Sequence, residues 1–107
     1  MEISQSGFLE VNLQSKSESV LIESDDQIEK IVKALSSSTR RKILHYIQEE
    51  PMDVSNIASN LQMTEANISA QIKKLEDAGL IICDYTSGAH GVRKLSKLKF
   101  NKLTINF

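Results

Sequence analysis

Thr64, Glu65, Ala66, Asn67, Ser69, Ala70, Gln71, Lys73 and Lys74 fall in one short stretch, setting hydroxyls, amides, ammonium groups and a carboxylate side by side. They make no catalytic constellation. What such a set does is donate and accept hydrogen bonds and neutralise anions. A second group, His90, Arg93 and Lys94, lies in and just after the Gly-containing segment 87–91. The groups that catalysis or metal binding would need are scattered. His45, Cys83 and His90 sit in three different segments, which makes no convincing zinc set, and neither a Gly-rich phosphate loop nor a nucleophile elbow is present. No catalytic, cofactor-binding or metal-binding residue is therefore expected. Cys83, on an apolar run, reads as an inert core residue, and His45 as a helix-surface or interface histidine.

The elements that position these groups can be read from capping and periodicity. Ser24-Asp25-Asp26-Gln27 has the spacing of a capping box, and Ile28, Ile31, Val32 and Leu35 follow in one apolar stripe. A second helix is expected over about 38–49, with Ile43, Leu44 and Ile47 inward and Pro51 ending it. Asp53 is a good N-cap for a short third helix that turns Val54, Ile57, Ala58 and Leu61 to the core. Leu61-Gln62-Met63 makes a tight connection. Thr64 can cap a fourth helix, in which Ile68, Ile72 and Leu75 continue the apolar stripe until Gly79.

After Gly79 the residues become strand-like over 80–86, turn at 87–91, and return as a strand over 92–98. A β-hairpin placed directly after the last helix is a wing. The tail alternates, with Leu103, Ile105 and Phe107 on one face, and so do Leu9, Val11 and Leu13 near the start. The tail strand can pair within the monomer, with the N-terminal arm, or across a dimer. The expected class is α+β, mainly α: a winged helix-turn-helix of three to four helices plus a β-hairpin wing, with extra N- and C-terminal strands allowed. Residues 1–23 form the arm and 24–107 the winged unit.

In such a unit the helix after the tight turn lies in the major groove of DNA, and its N-terminal half meets base edges. With Ile68, Ile72 and Leu75 inward, the readout candidates are the residues named at the outset. Asn67 or Gln71 can pair with adenine, Ser69 can donate to a base or phosphate, and Thr64 serves first as a cap. Ala66 and Ala70 let the helix sit deep but offer at most contact with a thymine methyl. Lys73 and Lys74 read equally well as a solvated face. His90, Arg93 and Lys94 are placed to reach the backbone or the adjacent minor groove. One of Arg40 and Arg41 is expected to pair with an acid such as Glu76 while the other approaches DNA.

The chain has 107 residues, 40% hydrophobic and 25% charged, which suits one compact domain. Its net charge of −1 hides an asymmetry: seven acids against one lysine up to Glu29, then twelve Lys and Arg against seven acids from Lys30 onward. That distribution suits a one-sided anionic partner. One cysteine, no charged-then-apolar leader and no long apolar run give the expectation of a cytoplasmic protein with no membrane span.

From residue 28 to 107 the chain resembles the ArsR-like winged-helix transcriptional regulators. The resemblance is carried by segments 34–44 (ALSSSTRRKIL), 57–61 (IASNL), 64–69 (TEANIS) and 73–81 (KKLEDAGLI). Ser38 stands where the family often has proline. The Cys-x-Cys pair of metal-sensing members has no counterpart between Val54 and Leu61, so no metal is implied. The ending, 91–95 with 102–106, is similar to a bacterial subgroup in which this module precedes a separate effector domain; any ligand is unspecified. The reading is a sequence-specific regulator of double-stranded DNA, acting as a homodimer that represses by occlusion. The alternative is a winged helix used as a protein-interaction module, favoured by the overall acidity and the two alanines on the recognition helix.

Overall fold

A computed structural model describes residues 9–88 and 91–107; the expectation for His90 lies outside them. The elements, in chain order, are β1 (Glu10–Gln14), β2 (Ser19–Ile22), α1 (Asp25–Leu35), α2 (Ser38–Ile47), β3 (Met52–Asp53), α3 (Val54–Leu61), α4 (Glu65–Asp77), β4 (Ile81–Gly88), β5 (Gly91–Leu98) and β6 (Lys102–Asn106).

Each helix begins where a short polar side chain can take up one of the amides that a helix start leaves without an intrahelical partner. The hydroxyls of Ser24, Ser37 and Thr64 and the carboxylate of Asp53 accept from the amides of Gln27, Arg40, Asn67 and Asn56, at 3.4, 3.3, 3.1 and 2.8 Å. The second helix ends at Ile47, earlier than the expected 49. Gln62 ends α3 in the left-handed region at φ 55°, an uncommon place for a residue with a side chain. The amides of Gln62 and Met63 then donate back to Ser59 and Ala58, which closes the helix and turns the chain into α4 within three residues. Gly79, at φ 78°, ends α4 in the same way.

The inner faces of the helices meet in a core of Ile28, Ile31, Ala34, Ile43, Ile47, Ile57, Ala58, Ile68, Ile72 and Leu75. Val32, expected in the α1 stripe, is instead 48% exposed, and Ala34 is buried. The helix is rolled toward its small residue, so its buried strip is centred on Ile31 and Val32 falls outside it.

Two three-stranded antiparallel sheets flank the helices, in orders β2-β1-β6 and β3-β5-β4. Of the three partners open to the tail, the N-terminal arm is the one observed: Glu10 to Gln14 pair with Asn106 to Lys102. β1 is central in that sheet, and its alternating Val11 and Leu13 are buried in the common core. The β1–β2 turn is held by Ser15, whose amide donates to the Glu18 carbonyl at 2.8 Å.

In the wing, β4 and β5 pair from Ile81 with Leu98 to Gly88 with Gly91. The two-residue strand β3 joins their other edge through Met52 with Ser96 and Asp53 with Leu95. Asp53 therefore does two jobs. Besides capping α3, it receives Arg93 of β5, whose Nη2 and Nε donate to Oδ2 at 2.6 and 3.0 Å. The Asn56 amide is the main reason that the Asp53 carboxyl lies below its ordinary value of 3.8; partial burial opposes this, and the Arg93 guanidinium adds to it.

Two consequences can be measured. Leu13→Ala should lower unfolding free energy by about 2–4 kcal/mol in a urea titration, because it empties a buried site; a loss under about 0.5 kcal/mol would mean that β1 does not belong to the core. Asp53→Ala should cost about 1–2 kcal/mol at pH 7. A carboxyl with a depressed folded pKa stabilises above its unfolded value and loses that contribution as pH falls through the folded one. The gap between wild type and variant should therefore narrow as pH falls below the ordinary carboxylate value of 3.8, and a constant gap would contradict the role of the ionised carboxylate.

Candidate nucleic-acid interface

The helix-turn-helix is α3, the Gln62 turn and α4. Burial of Ile68, Ile72 and Leu75 holds α4 by one face and turns its opposite face out. Thr64, Glu65, Ala66, Asn67, Ser69, Ala70, Lys73 and Lys74 are all exposed, while Gln71 is half-buried. The most outward line, by helical phase, is Ala66, Ala70 and Lys73, bordered on one side by Ser69 and on the other by Asn67 and Lys74. Lys73 Nζ lies 3.5 Å from Asp77, a well-exposed pair that holds it only weakly.

The flank facing α1 and α2 is more ordered than its sequence suggests. Asn67, Gln71 and Lys74, at i, i+4 and i+7, form one polar stripe on α4. Gln71 Nε2 donates to Asn67 Oδ1 at 3.1 Å, and Gln71 Oε1 accepts from Arg40 Nη1 at 2.6 Å. Arg40 is itself fixed: Nε donates to the Ala34 carbonyl at 2.7 Å and Nη2 to the Lys33 carbonyl at 2.9 Å. Arg41 Nη1 donates to the Leu35 carbonyl at 2.8 Å. The expected pairing of one of these arginines with Glu76 is not what forms. The last carbonyls of α1 lack intrahelical partners, and two guanidinium groups at the start of α2 are near enough to satisfy them. Glu76 instead faces Lys94 of β5, at 3.9 Å.

Beyond the stripe, Lys30, Lys33, Arg40 and Lys74 line one open cleft, with Asp77 its only acid. Lys33 is paired with Glu29 at 2.8 Å, and Lys30 and Lys74 have no ion pair among the described residues. Reading the sequence missed Lys30 and Lys33 as part of this surface, and named Arg40 only as one of two arginines that could approach DNA. The spacing of Asn67, Gln71 and Lys74 marks a polar flank, but only packing shows which helix faces it.

The wing candidates are differently placed. Arg93 is bound to Asp53, and Lys94 lies against Glu76, so both anchor the wing to α3 and α4. Each side chain keeps part of its surface in solvent. Cys83 is half-buried on β4 with its Sγ 3.6 Å from the Ser96 hydroxyl, and burial pushes its thiol up, as suits an inert residue. His45 is exposed and meets the Tyr46 ring edge-on at 6.0 Å between centroids. Among the described residues no group of His, Cys, Asp and Glu is arranged to hold a metal ion, and no helix is long and apolar enough to cross a membrane.

Comparisons with known proteins agree with this geometry. The family model for "Bacterial regulatory protein, arsR family" matches residues 37–82, from the cap of α2 into β4. An uncharacterized HTH-type transcriptional regulator of Methanocaldococcus jannaschii, MJ0229, is 30% identical over 77 residues, covering 72% of this chain and 81% of that protein. Among solved structures, the homodimeric winged helix-turn-helix DNA-binding domain of Mb0332 from Mycobacterium bovis is similar at TM-score 0.61 and 26% identity, over 68% of this chain and 64% of that one. The ArsR family transcriptional regulator RHA00566 is similar at TM-score 0.58 and 30% identity, over 68% and 76%. With the outer face of its helix-turn-helix turned to solvent and a β-hairpin clamped beside it, the chain belongs to the ArsR family of winged helix-turn-helix transcriptional regulators, a class of DNA-binding proteins and not of enzymes.

Proposed function

We propose that this regulator binds double-stranded DNA as a homodimer, with one α4 in the major groove of each half-site and the β4–β5 wing against the neighbouring backbone, and that it represses by occlusion. The observation that carries the reading is the division of α4: one face is locked into the core by Ile68, Ile72 and Leu75, and the other is solvent-exposed and capped by small Ala66 and Ala70. A rigid helix with a low outer profile can approach the floor of a groove without side chains in the way. Phosphates on one side would meet Lys74 and Lys30, and on the other the exposed parts of Arg93 and Lys94. In this reading residues 24–107 carry DNA binding, β1 of the arm at 1–23 braces it, and the place of work is the cytoplasm.

Dimerisation is supported by the homodimeric Mb0332 domain, which this chain resembles. It also has a physical motive, since one α4 and a few cations make a small footprint that two-fold symmetry doubles. The β2-β1-β6 sheet leaves the outer edges of β2 and β6 unpaired among the described residues.

The reading is tested by fluorescence anisotropy on a pool of random duplexes at several salt concentrations, with light scattering for mass. Wild type should be dimeric and lose affinity as salt rises. Lys74→Ala should flatten the log–log salt slope by about 1 for each subunit engaged, the signature of one lost phosphate contact. Absence of binding at micromolar protein in low salt, or a slope that Lys74→Ala leaves unchanged, counts against this interface.

A further inference from the structure

We infer that Arg40 is a positioning residue that presents Asn67 to DNA as a hydrogen-bond donor, so that the preferred base at that position is guanine and not adenine. The inference rests on the DNA-binding reading above and gives it a base.

The argument is one of donor and acceptor polarity along a chain of three side chains. A guanidinium can only donate. Arg40 is held by two carbonyls at the end of α1, and its Nη1 points at Gln71 from 2.6 Å, so the Gln71 atom facing it must be the carbonyl oxygen. That choice leaves the Gln71 NH2 on the other end of the amide, directed at Asn67 from 3.1 Å. The Asn67 atom facing this donor must then be its oxygen. What remains is Asn67 Nδ2, which carries two N–H groups and has no partner among the described residues. An amide in water is indifferent to which end it offers. Here a cation two side chains away sets the polarity, and each step is enforced by the one before it.

The position of Asn67 makes this polarity usable. It is exposed and lies in the first turn of α4, on the half of the helix that enters the groove. The neighbours on its flank, Lys74 and Arg40, are donors only, so the stripe as a whole offers hydrogens and asks for acceptors. In the major groove guanine presents two adjacent acceptors, N7 and O6. Adenine presents one acceptor beside an NH2 donor, so an asparagine that pairs with it by two bonds must also accept, and Gln71 Nε2 already takes one of the two lone pairs of Asn67 Oδ1 while both Nδ2 hydrogens stay open. The expectation drawn from sequence, that Asn67 or Gln71 reads adenine, gives way in this proposal. Gln71 is committed to Arg40, and Asn67 is turned the other way.

The experiment is selection of bound sequences from a randomised duplex pool, followed by competition between sites that differ at one base. Wild type should favour guanine over adenine by about tenfold at one position of each half-site. Asn67→Asp, an acceptor-only side chain, should move the preference at that position to cytosine, whose N4 donates. Gln71→Glu still accepts from Arg40 but no longer donates to Asn67. An acceptor there draws Asn67 Nδ2 inward and turns Oδ1 out, so the guanine-to-adenine ratio should fall at least to within about twofold or reverse, whatever happens to affinity as a whole. Arg40→Met should do the same, and Gln71→Glu keeps the test sound if loss of Arg40 unfolds the protein. A merely structural role for the network would lower affinity for all sequences alike and leave the ratio unmoved. Enrichment of adenine by wild type, or an unchanged ratio in Gln71→Glu, overturns the inference while leaving DNA binding intact. Failure of wild type to bind any duplex removes the parent reading and this one together.

Discussion

The end of α1 leaves main-chain carbonyls that no later turn of helix can satisfy, and Arg40 and Arg41 at the start of α2 satisfy them. This contact fixes the angle at which α2 leaves α1, since the guanidinium groups must reach back across the Ser36–Ser37 corner. It also places a cation opposite the flank of α4. Removing Arg40 would take a donor from the Ala34 carbonyl and leave Gln71 unrestrained, so the helix end and the flank of α4 are linked at the outset. The fold and the binding surface are thus joined by an interaction that is neither a core contact nor a contact with the ligand.

Much of the fold is legible in the sequence because its causes are local. The caps at Ser24, Asp53 and Thr64 depend on residues three positions apart, and the stripes of α2, α3 and α4 repeat with the period of the helix, so both can be seen in a linear string. The glycine end of α4 is legible for the same reason. What is not legible is non-local. Val32 satisfies the period of its helix as well as Ala34 does, and only the roll of α1 against its neighbours separates them. β3 has two residues and no pattern, and exists because β5 lies beside it. The tail strand advertises its alternation but not its partner.

The candidate site divides along the same line. That Thr64 caps and that Ala66, Asn67, Ser69, Ala70, Lys73 and Lys74 lie outward follows from the phase of α4, and the exposure pattern agrees. The state of each side chain depends on residues far away in the chain. Arg93 and Lys94 look like free cations in the sequence, yet each has a carboxylate partner, one from α3's cap and one from α4. Charge counted along a chain therefore overstates the charge that a surface offers. The lysines with most to give, Lys30 and Lys74, belong to helices that a linear reading has no reason to bring together.

The pairing of β1 with β6 has a consequence in time. Its ladder joins Glu10–Gln14 to Lys102–Asn106, so it closes a longer loop than the contacts among α1 to α4 or within the wing hairpin. Closing a longer loop costs more chain entropy, and distant strand pairing is slow. During synthesis the helix-turn-helix can assemble while β1, already able to pair with β2, still waits for β6, which is made only after the wing. Until β6 is made, the edge of β1 that faces away from β2 stays unpaired, an aggregation-prone feature of the partly made chain.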